Sequence, residues 1–290
     1  MIGHFALDQI VVDGVRTEAS GGAVFYAGLA LRRLGQRVAV VTRLHPKDFD
    51  RLKAFEEAGI WCKAIPAPES TGIENTYRSE DMESRVCRPL GFAGAFSLQE
   101  IPHLRAKAIL VVPIIAGEVD LALLRALASR GPIALDIQGF VRVPEKDRLV
   151  FKTWSDMEQG LSYVTYLKVD QAEAHLLTGQ TEPAKALPIL ADMGPSEIVM
   201  TQSSGVTVLG PDGMVAAPFT SRSLVGRTGR GDTCFSSYVA MRQTESVSRA
   251  VQIAGAITSL KQEKPGPWDG TWEQIEKRIE ETYFSVHDKL

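Results

Sequence analysis

The sequence is poor in cysteine. Cys62, Cys87 and Cys234 are scattered, no CxxC occurs, and any pairing leaves one over. That pattern argues against a disulfide framework and against structural zinc, and a reduced, cytoplasmic setting is expected. Long hydrophobic runs are also missing. The longest, Ala108 to Ala116, has nine residues and contains Pro113, far short of the ~20 that cross a bilayer. The start, Met1-Ile2-Gly3-His4, has no basic segment ahead of an apolar one, so no secretory signal is expected. Nor is there an excess of positive charge. Against 32 Lys and Arg stand 35 Asp and Glu, so neither nucleic acid nor a membrane is an expected partner. Internal repeats and low-complexity linkers are absent as well.

What is present is ordinary globular material. Hydrophobic residues make up 44% and charged residues 23% of 290, which argues against a disordered chain, a coiled coil or a collagen-like repeat. A chain of this length supports one large core, and a single domain over 1–290 is expected. Apolar runs recur at Gln36–Thr42, Ala108–Val112, Ile133–Ile137, Tyr163–Val169 and Glu197–Thr201. Continuous runs of this kind suit strands buried on both faces. Helical patterns lie between them, with Leu121, Leu124, Leu127 and Ala128 on one face and Val247, Ala250, Val251, Ala254, Ile257 and Thr258 on another. The alternation predicts an α/β fold, a mostly parallel sheet flanked by helices.

Two segments break the rhythm. Residues 64–92 alternate at Ile73, Asn75 and Tyr77, pass a polar turn Ser79–Ser84, and continue as Arg85-Val86-Cys87. They read as an antiparallel hairpin. Residues 9–19, turning at Asp13-Gly14, add an extended segment, and together the two predict a small β lid. Val206–Leu209 and Met214–Phe219 flank Pro211-Asp212-Gly213, a hairpin expected at a sheet edge.

Ligands of open parallel sheets bind beyond the carboxyl ends of the strands. Asp8 is expected after the first strand, which His4 ends. Asp136 and Gln138, Asp170 and Glu173, and Thr201, Gln202 and Ser203 follow later ones. Caps alone account for single residues of this type, but the set converges on one crevice. The strongest local signal is Gly226-Arg227-Thr228-Gly229-Arg230-Gly231-Asp232 ahead of a helix. Glycines let backbone N–H groups approach an anion, and a helix N-terminus adds positive potential. Asp232 then stands beside a phosphate. An acid in a first turn is also an ordinary dipole partner, yet a cap needs no three glycines. The spacing is neither a Walker A loop nor a dinucleotide fingerprint.

These residues resemble the ribokinase-like (PfkB) carbohydrate kinases over nearly the whole chain. The late signature corresponds to Gly226–Asp232, the early glycine pair to Gly21-Gly22 opening a helix that ends Leu34-Gly35, and the N-x-x-E motif to Asp170–Glu173 followed by Leu177-Thr178-Gly179. The resemblance implies ATP-dependent phosphoryl transfer to a hydroxyl of a sugar or cyclic polyol. In it Asp232 is the base, and the N–H groups of Gly229, Arg230, Gly231 and Asp232 form the anion hole. Mg²⁺ is organised by Glu173 and Asp170. Thr201, Ser203, Arg227, Gly229 and Gly231 face ATP. Asp8, Gly21, Gly22, Gln138 and Arg142 face the substrate. By family position, Ala254, Gly255 and Thr258 with Pro265-Gly266-Pro267 form an adenine wall. The resemblance also allows a homodimer through the lid.

The chain departs from the family pattern at several points. Gly226-Arg227 replaces the leading Asp-Thr, which puts the monovalent-cation site of relatives in doubt. Arg230 replaces Ala, Asp170 replaces Asn, and Ala23 stands where Asn often follows the glycine pair. Gly226–Cys234 and Asp136–Arg142 are most similar to myo-inositol kinase-type members, so inositol is the leading substrate. A nucleoside or keto-sugar kinase of the same family is the first alternative, and a non-catalytic sugar or nucleotide sensor the second.

Overall fold

The protein is described by a computed structural model over residues 1–78 and 81–283, with side chains described outside 77–86. Ser79 and Glu80 of the expected polar turn lie outside the described residues. The elements run β1 (Ala6–Val12), β2 (Val15–Gly21), α1 (Ala23–Arg33), β3 (Ala39–Leu44), a 3₁₀ segment Pro46–Leu52, α2 (Lys53–Glu57), β4 (Trp61–Pro66), β5 (Gly72–Arg78) and β6 (Asp81–Gly91). They continue with β7 (Ile109–Val111), α3 (Leu121–Ala128), β8 (Ile133–Asp136), α4 (Gln138–Val141), β9 (Arg142–Glu145), β10 (Arg148–Phe151), α5 (Met157–Leu161), β11 (Tyr166–Asp170), α6 (Gln171–Thr178) and α7 (Pro183–Ala191). The last are β12 (Glu197–Thr201), β13 (Gly205–Gly210), β14 (Gly213–Pro218), α8 (Arg230–Met241), α9 (Val247–Gln262) and α10 (Trp272–Tyr283).

The main sheet has the order β14-β13-β12-β11-β8-β7, parallel from β12 to β7 and antiparallel at the β13–β14 edge. Parallel β3 and β4 extend it through Ile2, which bridges both Val41 and Val111. Period-2 alternation divides each strand between two cores. Leu110, Ala134 and Val199 join the cluster under α1, α8, α9 and α10. Val111, Leu135 and Met200 join the cluster under α3, α6 and α7. A sheet covered on both faces needs apolar residues at every position, hence the unbroken runs in the sequence.

The lid is a second sheet, ordered β2-β1-β5-β6. Asp13 (φ 48°) and Gly14 (φ 84°) make the tight turn of its first hairpin, the left-handed pair that hairpin twist favours. Two sequence expectations are corrected here. The first core strand has contracted to the bridge at Ile2, so Asp8 lies inside lid strand β1 rather than beyond a core strand. Residues 64–66 end β4 in the main sheet, so the second lid segment begins at Gly72.

The lid joins the core through a buried knot. Glu118, fully buried, accepts the backbone N–H of His4 at 3.0 Å, Ile114 at 2.7 Å and Ile115 at 2.9 Å. The His4 ring meets the Thr71 hydroxyl and the Gly94 carbonyl. Burial pushes His4 down to about 3 and Glu118 up to about 7, the latter opposed by its three N–H donors. His4 is therefore a neutral structural residue.

Candidate active site

Glycine seats the phosphate loop against its neighbours. Gly229 has φ 80° and begins α8. A Cβ there would lie 2.2 Å from the Tyr26 ring, so the loop rests on α1 only because the side chain is absent. The Gly226 carbonyl accepts from Lys261 Nζ at 2.6 Å, and its N–H donates to Gln262 O at 2.8 Å. The loop is thus pinned to the end of α9.

At the start of α8, the Arg230 N–H donates to Arg227 O at 3.1 Å and Thr233 N–H to Gly229 O at 3.0 Å. Among the described residues no backbone carbonyl takes the N–H of Gly231 or Asp232. These two donors, at the positive end of a 12-residue helix, suit an oxyanion. The expected anion hole is correspondingly smaller, because the Arg230 N–H is spent locally.

Asp232 is half-buried in the first turn. Burial, then Asp136, pushes its carboxyl up to about 6, against the pull of Lys168, Arg142 and Lys261. Lys168 is the residue that sequence reasoning missed. Its ammonium lies 3.1 Å from Asp136 Oδ1 and 3.4 Å from Glu173 Oε2. It also stands 3.7 Å from where a Gly231 Cβ would be. Asp136, Glu173, Asp170 and Asp232 together keep it protonated despite burial. The available signal was one lysine inside the otherwise apolar run 166–169, since a buried lysine needs partners. Lys261 was missed too. It is buried over the Tyr26 ring, 5.2 Å from the centroid, and burial lowers it to about 8.

The other expected residues divide. Asp170 caps α6 and closes a box with Glu173: Asp170 Oδ1 accepts Glu173 N–H at 2.8 Å, and Glu173 Oε2 accepts Asp170 N–H at 2.7 Å. That spends Asp170 on the helix. Glu173 Oε1 is buried and without a hydrogen bond. A buried lone pair of this kind fits a water of hydrated Mg²⁺, a cation held by one or two carboxylates together with phosphates. Among the described residues no three His, Cys, Asp or Glu side chains converge on a metal position.

Arg142 is buried at the start of β9, within electrostatic reach of both Asp232 and Glu118. The Gln138 N–H donates to Asp136 Oδ1 at 3.1 Å, which places Gln138 at the same strand end. Asp8 Oδ1 accepts Ile73 N–H at 3.0 Å, and its other oxygen packs on Gly21, where a Cβ would lie 2.3 Å away. Both Asp8 and Asp232 act on the Tyr26 hydroxyl, whose ionisation is suppressed first by burial, so lid and loop meet around that side chain. Thr201 is buried at the end of β12 and Ser203 is exposed beyond it. No hydrogen bond joins either side chain to the loop among the described residues.

Of the expected adenine wall, Gly255 packs against the chain itself, while a Cβ at Gly266 would meet nothing within 4 Å. A Cβ at Gly255 would sit 2.9 Å from Ala217 Cβ, so β14 packs directly on that face. The Thr258 hydroxyl donates to Ala254 O, and Ser259 Oγ accepts Thr220 N–H at 2.9 Å. Gln262 reaches Ser221 at 2.8 Å. Segment 217–226 thus lies along α9 where a base was expected. Cys234 is fully buried and pushed up to about 12 by burial, a packing residue.

A phosphate loop, a poised carboxyl and a lid define a small-molecule kinase. The pattern of the pfkB family carbohydrate kinases matches residues 17–274, and this chain belongs to that family. No curated protein matches it. Solved structures do. One, a pyrophosphate-dependent kinase in the ribokinase family seen with sulfate, is 34% identical (TM-score 0.89) and covers 95% of this chain and 98% of its own. Another, seen with a pyrophosphate analogue and myo-inositol, is 33% identical (TM-score 0.88) over the same shares. A third is a pyrophosphate-dependent myo-inositol-1 kinase that two substitutions convert into a myo-inositol-3 kinase. It is 31% identical (TM-score 0.87) and covers 97% of this chain and 98% of its own. The ribokinase-like fold and kinase class are thereby established. No helix among the described residues is long and apolar enough to cross a membrane.

Proposed function

We propose that the protein transfers a phosphoryl group from inorganic pyrophosphate to a hydroxyl of myo-inositol or a closely related cyclic polyol. The observation that carries the donor is the packing of segment 217–226 along α9: Gly255 lies against β14, and Ser259 and Gln262 are bonded to that segment. A donor without a base needs no adenine pocket. Lys168, Lys261 and Arg142 also gather positive charge around Asp232, which suits a compact polyanion. The neighbours bound to pyrophosphate chemistry and to myo-inositol support the same reading.

In this reading Asp232 takes the proton from the attacking hydroxyl as its oxygen bonds to phosphorus. The P–O–P bond breaks and orthophosphate leaves. The N–H groups of Gly231 and Asp232 hold the transferring oxygens, as donors of an oxyanion hole do. Asp8, held on Gly21, grips a polyol hydroxyl from the lid side, and lid closure excludes water as a competing acceptor. Glu173 would hold hydrated Mg²⁺ through its free Oε1, and the ion would neutralise phosphate charge. Asn75 and Cys87, bonded at 3.2 Å on the lid face that Asp8 shares, select the ring position. In the third neighbour two substitutions to leucine change the position phosphorylated, which supports control of that choice by a pair of side chains.

The test is a donor and acceptor panel read by ³¹P NMR. Pyrophosphate with myo-inositol should give an inositol monophosphate and orthophosphate, with kcat/KM at least about a hundredfold above ATP. Faster turnover with ATP overturns the donor; phosphorylation of ribose or a nucleoside but not of polyols overturns the acceptor.

A further inference from the structure

A second cleft lies at the amino-terminal ends of the core strands, the opposite end of the sheet from the glycine loop. It measures about 600 Å³ and runs between the end of α1, the 101–110 segment and the carboxyl-terminal half of α8, a size within the range of small-molecule sites. Its floor is apolar, with Leu31, Val41, Ile101, Leu110, Leu127 and Val239 among the lining residues. Its rim carries Arg37, Arg105, Lys107 and Arg130, and no Asp or Glu lines it.

Several arginines elsewhere on the protein are paired. Arg16, Arg43, Arg222, Arg242, Arg249 and Arg278 each face a glutamate within 4 Å. Among the described residues none of the four rim cations is in an ion pair. Arg130 is held in place by the Ile101 carbonyl at 3.1 Å. In a chain with three more acidic than basic residues, four unbalanced cations around an apolar floor are complementary to an anion with an organic body.

We propose that this cleft binds a small organic phosphate, its phosphoryl group on the Arg105–Lys107–Arg130 rim and its organic part over the apolar floor. The site is separate from the catalytic one and does not depend on the donor assignment. It touches Ser236, Val239 and Ala240 of α8, the helix that begins with the phosphate loop.

Isothermal titration of the whole protein tests it, with methylenediphosphonate present in excess to fill the catalytic phosphate site. The probes are ADP, an inositol monophosphate and orthophosphate. At least one organic phosphate should bind about tenfold or more tightly than orthophosphate. Charge reversal by R105E/K107E should weaken that binding about tenfold or more, with the melting temperature unchanged. Should that pair fail to fold, R130Q/K107Q replaces it. No binding by either organic probe, or binding that both variants leave intact, overturns the proposal. Equal affinity for orthophosphate removes the role of the apolar floor and overturns it as stated.

Discussion

Asp232 carries a conflict that its chemistry needs. Its carboxyl stands among Asp136, Lys168, Arg142 and Lys261, and burial lifts it to about 6. As a base it must be deprotonated, so kcat/KM should fall below an acid limb near pH 6 and rise through it. Replacing Asp136 by Asn removes the neighbouring negative charge, and the limb should move to lower pH. A limb that stays in place would mean Asp232 is not the group reported. Asp232→Asn should cut kcat by about 10²–10⁴-fold while donor affinity, measured by titration, stays within a few-fold. Equal turnover in both forms would exclude it as base. Lys168 serves stability as well as charge. Lys168→Met leaves Asp136 and Glu173 facing each other in a buried site, a loss of about 3–5 kcal/mol. Urea unfolding at pH 7 measures it. The cost should shrink toward pH 5, because the stranded carboxylates take up protons.

The lid and the phosphate loop are held by different means. Glu118 ties His4, at the entry to β1, to Ile114-Ile115 of the core crossing. Glu118→Ala strands three buried N–H groups, at roughly 1–3 kcal/mol each before relaxation, and should lower the urea midpoint sharply. The loop depends on close contact at Gly229 as well as on the Gly226 bonds to α9. Gly229→Ala drives a methyl into the Tyr26 ring and strains a left-handed position. It should reduce kcat more than it raises KM for the polyol. On the lid, the joint variant Asn75→Leu and Cys87→Leu should shift the position of phosphorylation, read by two-dimensional NMR of the product. An unchanged product would remove the pair from the selection of ring position.

At the level of the whole molecule, one sheet supports two faces of opposite purpose. Asp136, Asp170 and Thr201 end β8, β11 and β12 beside the phosphate loop. The basic cleft lies at the other ends, beside Met1, Ala39 and Ile109. Helix α8 reaches both, covering about 12 Å from Asp232 to Ala240 at 1.5 Å per residue. The proposed choice of donor belongs to this scale, because it rests on packing between β14 and α9 rather than on any one side chain.

Much of this was legible in the residues. Unbroken apolar runs foretold strands covered on both faces, because a parallel sheet between helix layers leaves no polar side. Gly226–Asp232 marked a glycine turn ahead of a helix, and α8 begins there with Gly229 in the left-handed region. Asp170 and Glu173 were rightly placed together, but their reciprocal capping bonds became visible only in three dimensions. What the linear order hid was everything set by distant neighbours. Lys168 is a surface-type residue until the fold encloses it with four carboxylates. Asp8 belongs to the lid because the first core strand contracted to Ile2. The face of Ala254, Gly255 and Thr258 looks open for a base until β14 lies on it. Local pattern and steric permission are properties of the sequence; enclosure and charge balance arise only when separate strands and helices meet.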